Sequence, residues 1–249
     1  MEIRNQKIIL TGGAGSVGKF LAEKLGQEGA KVIIIDNNID KLEQILSENP
    51  NLVGYPCNLV DYEEVTKCIH DIFVEHPNIS VLINNAGLIY STPLINLASS
   101  AERRHDFLTW QKVLDANLTS TFNTGVSVID KMIQNRTKGL IINISSISAA
   151  GNPGQTAYSA AKAGVDALTS TWCKEVSILG IRVAGVSPGF FDSTSTKEAL
   201  SENNLDKLIK KIPSQRLGKL DELYKSIKFI IENDYFNGKV LDIDGGLII

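Results

Sequence analysis

Short apolar runs alternate along the chain with longer segments whose apolar positions recur every three or four residues. Lys7–Leu10 is a short apolar run that ends in a glycine-rich turn. From Ser16 to Glu28, the residues Val17, Phe20, Leu21 and Leu25 fall on one helical face, and Gly29 stops the helix. Lys31–Asp36 is apolar on both sides, as a strand covered by helices must be. A helix over 39–48, a strand over 52–57, a helix over 61–76 and a strand over 79–84 continue the alternation. A less regular stretch runs from Gly87 to about residue 106 and holds Pro93 and the charged cluster Glu102–Asp106. One long helix is predicted over 107–135, a buried strand over 139–146 and a helix over 156–179. The strand Ile181–Val186 is broken by Pro188-Gly189. Polar helical segments over 194–211 and 220–233 precede a last strand, Lys239–Ile243. This strand–helix order predicts an α/β fold, a doubly wound parallel sheet of about seven strands with helices on both faces. No linker, repeat or low-complexity block interrupts it, so residues 1–249 are expected to form a single domain.

Composition narrows the classes. Hydrophobic residues make up 43% of the 249 and charged residues 21%, the balance of a soluble globular protein. A net charge of −3 gives no electrostatic reason to expect nucleic acid or an anionic membrane as partner. Cys57, Cys68 and Cys173 are odd in number and contain no C-x-x-C pair, which suggests neither a disulfide framework nor a zinc site. A reduced, cytoplasmic setting is expected. The apolar run before the glycine turn is too short for a signal peptide, and no stretch approaches the roughly 20 apolar residues of a membrane span. His70, His76 and His105 show no metal-ligand pattern and read as surface residues. Trp110 and Trp172 lie on long helices and read as packing residues.

The first chemistry lies in "TGGAGSVGK", Thr11–Lys19. A strand, a tight glycine turn and a helix N-terminus form an anion site, because the helix start offers unpaired N–H groups and a positive dipole end. Gly12, Gly15 and Gly18 let backbone approach a pyrophosphate without a Cβ in the way. Ser16 and Val17 open the helix, and Ser16 is expected to touch or face the cofactor phosphates. Asp36 ends the second strand, 18 residues after Gly18. It is placed to accept hydrogen bonds from ribose hydroxyls and to repel a 2′-phosphate. Asn37 and Asn38 follow, with no adjacent cation. The expected cofactor is therefore NAD rather than NADP, held in a Rossmann-like fold.

The second feature is Tyr158-Ser-Ala-Ala-Lys162. At i and i+4 both side chains share a helix face. A tyrosine is a poor base at neutral pH. A lysine ammonium one turn away favours the phenolate and is expected to lower the tyrosine pKa, so that the pair can serve as a general acid/base. Upstream, Asn143-Ile-Ser145-Ser146 ends a buried strand, where one serine hydroxyl could meet a substrate carbonyl. Strand register favours Ser146.

With these residues in order, the chain resembles the short-chain dehydrogenase/reductase family over essentially its whole length. The matching motifs are the Thr11–Gly18 turn, Asn84-Asn85-Ala86-Gly87, Asn117 in "DANLTSTF", the serine pair, Tyr158/Lys162, Pro188-Gly189 and Asp244-Gly245-Gly246. The resemblance implies an oxidoreductase passing hydride between a nicotinamide and a carbonyl or secondary alcohol, similar to 3-oxoacyl-(acyl-carrier-protein) reductase-like members. Tyr158 would be its acid/base, and Lys162 would hold the nicotinamide ribose. A serine would orient the carbonyl, with Ser145 favoured by the family spacing to Tyr158. Asn117 would hold a water linking Lys162 to solvent. Asn84–Gly87, Asn58 and Leu59 would line the adenosine side. Phe191 (through its backbone) and Ser193, beyond Pro188-Gly189, would meet the carboxamide. Asn58 stands where the family usually has aspartate, and Ser193 where it usually has threonine. The helix carrying Ala160, Ala161, Ala163 and Gly164 suggests a homodimer or homotetramer.

Two further readings remain open on the sequence. The spacing Gly12, Gly15, Gly18 is that of sugar-nucleotide epimerases and dehydratases, which usually carry extra C-terminal sequence. A non-catalytic NAD-sensing protein could keep the same fold. The substrate pocket is expected from 88–106, 147–155 and 190–212. Phe190, Phe191 and Leu200 hint at an apolar wall, and Arg103 and Arg104 could meet an anionic substrate group.

Overall fold

The computed structural model describes residues 1–98, 102–194, 196 and 202–249. Seven parallel strands form one sheet in the order β3-β2-β1-β4-β5-β6-β7. They are β1 (Lys7–Thr11), β2 (Lys31–Asp36), β3 (Val53–Pro56), β4 (Val81–Asn84), β5 (Gly139–Ile144), β6 (Ile181–Pro188) and β7 (Val240–Ile243). The helices between them are α1 (Ser16–Gln27), α2 (Ile39–Glu48), α3 (Tyr62–Glu75), α4 (Phe107–Leu114), α5 (Ser120–Gln134) and α6 (Thr156–Val176). After β6 come α7 (Glu202–Lys211) and α8 (Leu220–Glu232). The strand order reverses between β1 and β4, and the crevice outside the carboxyl ends at such a point is where open α/β sheets bind ligands.

Alternation along the strands builds two cores. Ile8, Leu10, Val32, Ile34, Val81, Ile83, Leu140 and Ile142 face α1, α2 and α8. Ile9, Ile33, Ile35, Leu82, Ile141 and Val183 face α3, α5 and α6. Each such buried side chain contributes about 1.5–3 kcal/mol. A one-residue slip of β1 or β2 would exchange its two faces, but both are apolar. Register therefore rests on the ladder, as in the pairing of Ile8 with Val32 and with Val81. Asn38, Asp61 and Asp106 cap α2, α3 and α4 by accepting from the N–H of Lys41, Glu64 and Thr109. Helix α1 instead starts at Gly15, which supplies no side-chain cap.

The predicted long helix over 107–135 is helical from Phe107 to Gln134 but has a π turn inside it. This turn, Asp115–Thr119, joins α4 to α5. Its wider loop puts the buried Asn117 side chain where it donates to the carbonyls of Val113 and Leu88, both at 2.9 Å. Apolar periodicity does not register one extra residue in a helix, whereas π turns recur at functional sites. Strand β5 ends at Ile144, so Ser145 and Ser146 lie just beyond it. The helix expected over 156–179 ends at Val176 and closes in a 3-10 turn, Ser177–Leu179. Leu200 and much of 194–201 fall outside the described residues.

One histidine departs from expectation. His76 is buried, with Nδ1 3.2 Å from Lys31 Nζ and Nε2 3.2 Å from the Tyr55 hydroxyl. It is the C-cap of α3, where the chain turns back under the sheet. Trp172 is buried against Gly125 of α5, a packing role.

Candidate active site

The glycine turn is shaped by what lies against it. Gly12 has φ +65°, and a Cβ there would stand 2.8 Å from the Cα of Ala86. A Cβ on Gly18 would run into the carbonyl oxygen of Gly12. The turn is therefore clamped between α1 and the loop after β4, and no larger residue fits at either point. Thr11 completes the clamp: its hydroxyl accepts from the N–H of Asn85 and Ala86 at 3.0 and 3.1 Å. Asn85 Nδ2 donates back to the carbonyls of Thr11 and Gly12. The chain thus holds the start of α1 open to a crevice, as a pyrophosphate requires.

Asp36, at the end of β2, is fixed by two backbone donors. Oδ2 accepts from Ala14 N–H at 2.9 Å and Oδ1 from Asn38 N–H at 3.0 Å. Asn58 lies beyond it at the crevice edge; its Oδ1 accepts from Val60 N–H at 3.3 Å. Asn84, placed on the adenosine side by the family resemblance, is turned inward instead. It donates to Asn143 Oδ1 and accepts from the Thr124 hydroxyl, because the last residue of β4 faces α5.

At the carboxyl ends of β4 and β5 the polar groups converge. Tyr158, Lys162 and Asn117 are all buried. Lys162 Nζ donates to the Ile144 carbonyl at 2.8 Å and lies 5.6 Å from the Tyr158 ring centre. A Cβ on Gly87 would stand 2.5 Å from Asn117 Oδ1 and 3.6 Å from Lys162 Nζ, so this glycine lets the two approach. Ser146 hydrogen-bonds Tyr158 and accepts from Ser148 N–H at 3.2 Å. Ser145 points the other way, toward Asp166 on α6. The pleat of β5, carried one residue past the strand end, separates the two hydroxyls.

The electrostatics differ from the expectation for the Tyr–Lys pair. Burial pushes the Tyr158 phenol up to about 12, against the smaller opposing effect of its Ser146 hydrogen bond. Burial likewise pushes the Lys162 ammonium down to about 8. The pair does not bring the tyrosine below its ordinary pKa here, because desolvation dominates both groups.

One cavity of about 640 Å³ joins the glycine turn, Asp36 and this cluster. Apart from Asn84, it is lined by the residues that the sequence put forward for cofactor or catalysis, from Gly12 to Ser193. It also takes in Lys41 and Lys112, which the sequence reading missed, and Ser148 and Gln155, which that reading placed in the pocket segment 147–155 without a role of their own. Gln155 ties two walls together. It accepts from the Ser148 hydroxyl at 2.8 Å and donates to the Ser91 hydroxyl at 3.0 Å. Its place three residues before Tyr158 was the available signal. Leu88, Ile89, Ile147 and Phe190 give the end near Tyr158 apolar walls. Arg104 is exposed on a short ribbon in which it pairs with Ile95. Among the described residues no group of three or more His, Cys, Asp or Glu could hold a metal. No helix among them is long and apolar enough to cross a membrane.

The family profile described as short chain dehydrogenase matches residues 6–205. The chain is a short-chain dehydrogenase/reductase. It is accordingly an oxidoreductase that uses a nicotinamide cofactor to interconvert a carbonyl and an alcohol. It is 35% identical over 256 residues to the 3-oxoacyl-(acyl-carrier-protein) reductase FabG of Thermotoga maritima, covering 100% of both chains. It is 36% identical over 253 residues to the enzyme of that name from Rickettsia typhi, covering 100% of this chain and 99% of the other. The solved structure described as the crystal structure of gox2181 shares the fold, with a TM-score of 0.89 at 24% identity over 98% of this chain and 97% of that one.

Proposed function

We propose that residues 1–249 work as one NAD(H)-dependent reductase domain whose substrate is a 3-oxoacyl thioester, with Tyr158 as the general acid. The observation that carries this is the convergence of Ser146, Tyr158, Lys162 and Asn117 at the apolar end of a cavity whose other end is the glycine turn. The open α1 N-terminus, set at the cavity by the close backbone packing of Gly12 and Gly18, fits a dinucleotide pyrophosphate. When bound, the nicotinamide supplies the hydride.

The chain's own residues do the rest. Asp36, fixed by Ala14 and Asn38, accepts from the adenosine ribose hydroxyls and repels a 2′-phosphate, which favours NAD(H). Lys162, whose Nζ donates to the Ile144 carbonyl, would hold the nicotinamide ribose hydroxyls. Phe191 and Ser193 border the carboxamide side. Ser146 accepts from Ser148 N–H, which leaves its own proton to donate to the substrate carbonyl or to Tyr158. Tyr158 gives its proton to the oxygen as the alcohol forms. The thioester assignment rests on the full-length likeness to the 3-oxoacyl reductases and on the apolar wall formed by Leu88, Ile89, Ile147 and Phe190. A cytoplasmic setting fits the three free cysteines. A homodimer or homotetramer is in keeping with the family.

The test is the rate of NADH and of NADPH oxidation with acetoacetyl-coenzyme A. Turnover should favour NADH, and Tyr158→Phe should lower kcat at least about 100-fold, the contribution of one general acid. Equal activity in Tyr158→Phe would remove the tyrosine from the reaction. A preference for NADPH would overturn the role given to Asp36.

A further inference from the structure

Asp166 is a carboxylate with no evident structural purpose. It lies on α6 one turn after Lys162, the spacing that places two side chains on one helix face. Its Oδ1 is buried and has no hydrogen-bond partner. A buried polar atom left without a partner costs free energy and calls for a reason. Its one neutral partner is Ser145, the serine that faces away from the reaction. The Ser145 hydroxyl lies between that carboxylate and the Lys162 carbonyl, 3.5 Å away.

The surroundings leave Lys162 short of negative charge. Its ammonium is buried, and among the described residues it donates to the Ile144 carbonyl and to no carboxylate. The titratable groups acting on this pair are few. Tyr158 precedes Lys162 on α6, and Asp242 faces Asp166 from β7. Arg182 of β6 turns away to Asp234, and Asp115 of the π turn is taken by Gln111 and Thr119.

We propose that Asp166 is a positioning residue of the active site: its carboxylate, anchored by Ser145, is the buried counter-charge that keeps Lys162 an ammonium at neutral pH. This rests on the role given above to Tyr158 and Lys162. It also accounts for both serines after β5, with Ser146 directed at the substrate and Ser145 at the charge beneath the lysine. The directions of titration agree: burial lowers Lys162 and Asp166 opposes that, while burial and Asp242 raise Asp166 and Lys162 opposes that. Without the counter-charge, a large share of the protein would hold a neutral lysine at pH 7. A neutral amine gives a phenolate at Tyr158 no electrostatic support.

The test is an NMR titration of the cofactor-free protein labelled at the lysine ε-carbon, with the Lys162 signal assigned from its absence in Lys162→Met. In Asp166→Asn the Lys162 midpoint should fall by about one pH unit, the low end of what a neighbouring opposite charge produces. Ser145→Ala should move it in the same direction by less, and Asp166→Glu should leave it in place. The rate with acetoacetyl-coenzyme A and NADH should follow the charged fraction of Lys162, with kcat reduced about twofold at pH 7 and about fivefold at pH 8 in Asp166→Asn and restored in Asp166→Glu. An unchanged midpoint in both Asp166→Asn and Ser145→Ala would overturn the proposal. Full activity in Lys162→Met or Tyr158→Phe would instead overturn the reading of the site, whatever the titration shows.

Discussion

Replacing Lys162 by methionine should remove the catalyst and remove a stability penalty at the same time. The native ammonium is 4% exposed, and its pKa is pushed from 10.5 to about 8 by burial. At about 1.4 kcal/mol per pH unit, that displacement is about 3 kcal/mol of stability forgone whenever the lysine is charged. The sign follows from proton binding. Below pH 8 the native and unfolded chains both carry the proton, and the native state bears the full cost. Between pH 8 and 10.5 the native chain releases it first, so wild-type stability recovers as pH rises. Methionine has no such term. It does leave the Ile144 carbonyl without its donor at 2.8 Å, a cost of about 1–3 kcal/mol that does not change with pH. The net gain at pH 7 is therefore small, whereas the pH dependence is large. Urea unfolding of both proteins, at one protein concentration and at intervals from pH 7 to pH 10, measures it. The stability difference, variant minus wild type, should fall by about 2–3 kcal/mol over that range. Tyr158, pushed up to about 12, titrates above this window and does not confuse it. A difference that stays flat with pH would show that Lys162 is not desolvated as its burial implies.

Two other substitutions probe the cofactor end and the floor of the site. Asp36→Ser removes the carboxylate that borders the 2′-hydroxyl, and the ratio of kcat/KM for NADPH over NADH should rise about tenfold or more; an unchanged ratio would assign selectivity to other residues such as Lys41. Gly87→Ala places a methyl 2.5 Å from Asn117 Oδ1, so Asn117 must leave the Leu88 carbonyl. Displacement of this floor should lower kcat by at least about tenfold while the thermal midpoint drops only modestly, and steady-state kinetics beside a melting curve separates the two effects.

Much of this molecule is legible in the chain. All seven strands and their order along the chain follow from apolar runs, which are clearest in β1 and β2, where burial on both faces leaves the strand interior without polar positions. The glycine turn, Asp36 and the Tyr158/Lys162 spacing are local patterns, and local patterns survive in one dimension. Where the reading failed, the deciding force was not local. Asn84 follows an apolar strand like Asn85, yet it faces α5 and pairs with Asn143, a neighbour 59 positions away. His76 reads as a surface residue and is buried only because α3 delivers it beside Lys31 and Tyr55. The π turn at Asn117 adds one residue to a helix whose apolar faces on either side remain continuous.

The active site divides in the same way. The sequence by itself determined which residue types stand at the ends of the strands, since spacing along a strand or a helix fixes which side chains share a face. It favoured Ser146 through strand register, although the family spacing to Tyr158 favoured Ser145. The tertiary structure shows where the two hydroxyls go through the direction of β5, whose next two residues point one to Asp166 and one to Tyr158. It also decided the protonation of the pair. A lysine near a tyrosine lowers its pKa in water, but here both groups are buried and desolvation reverses the outcome. Burial is a property of the assembled sheet and helices, and no spacing of residues along the chain contains it.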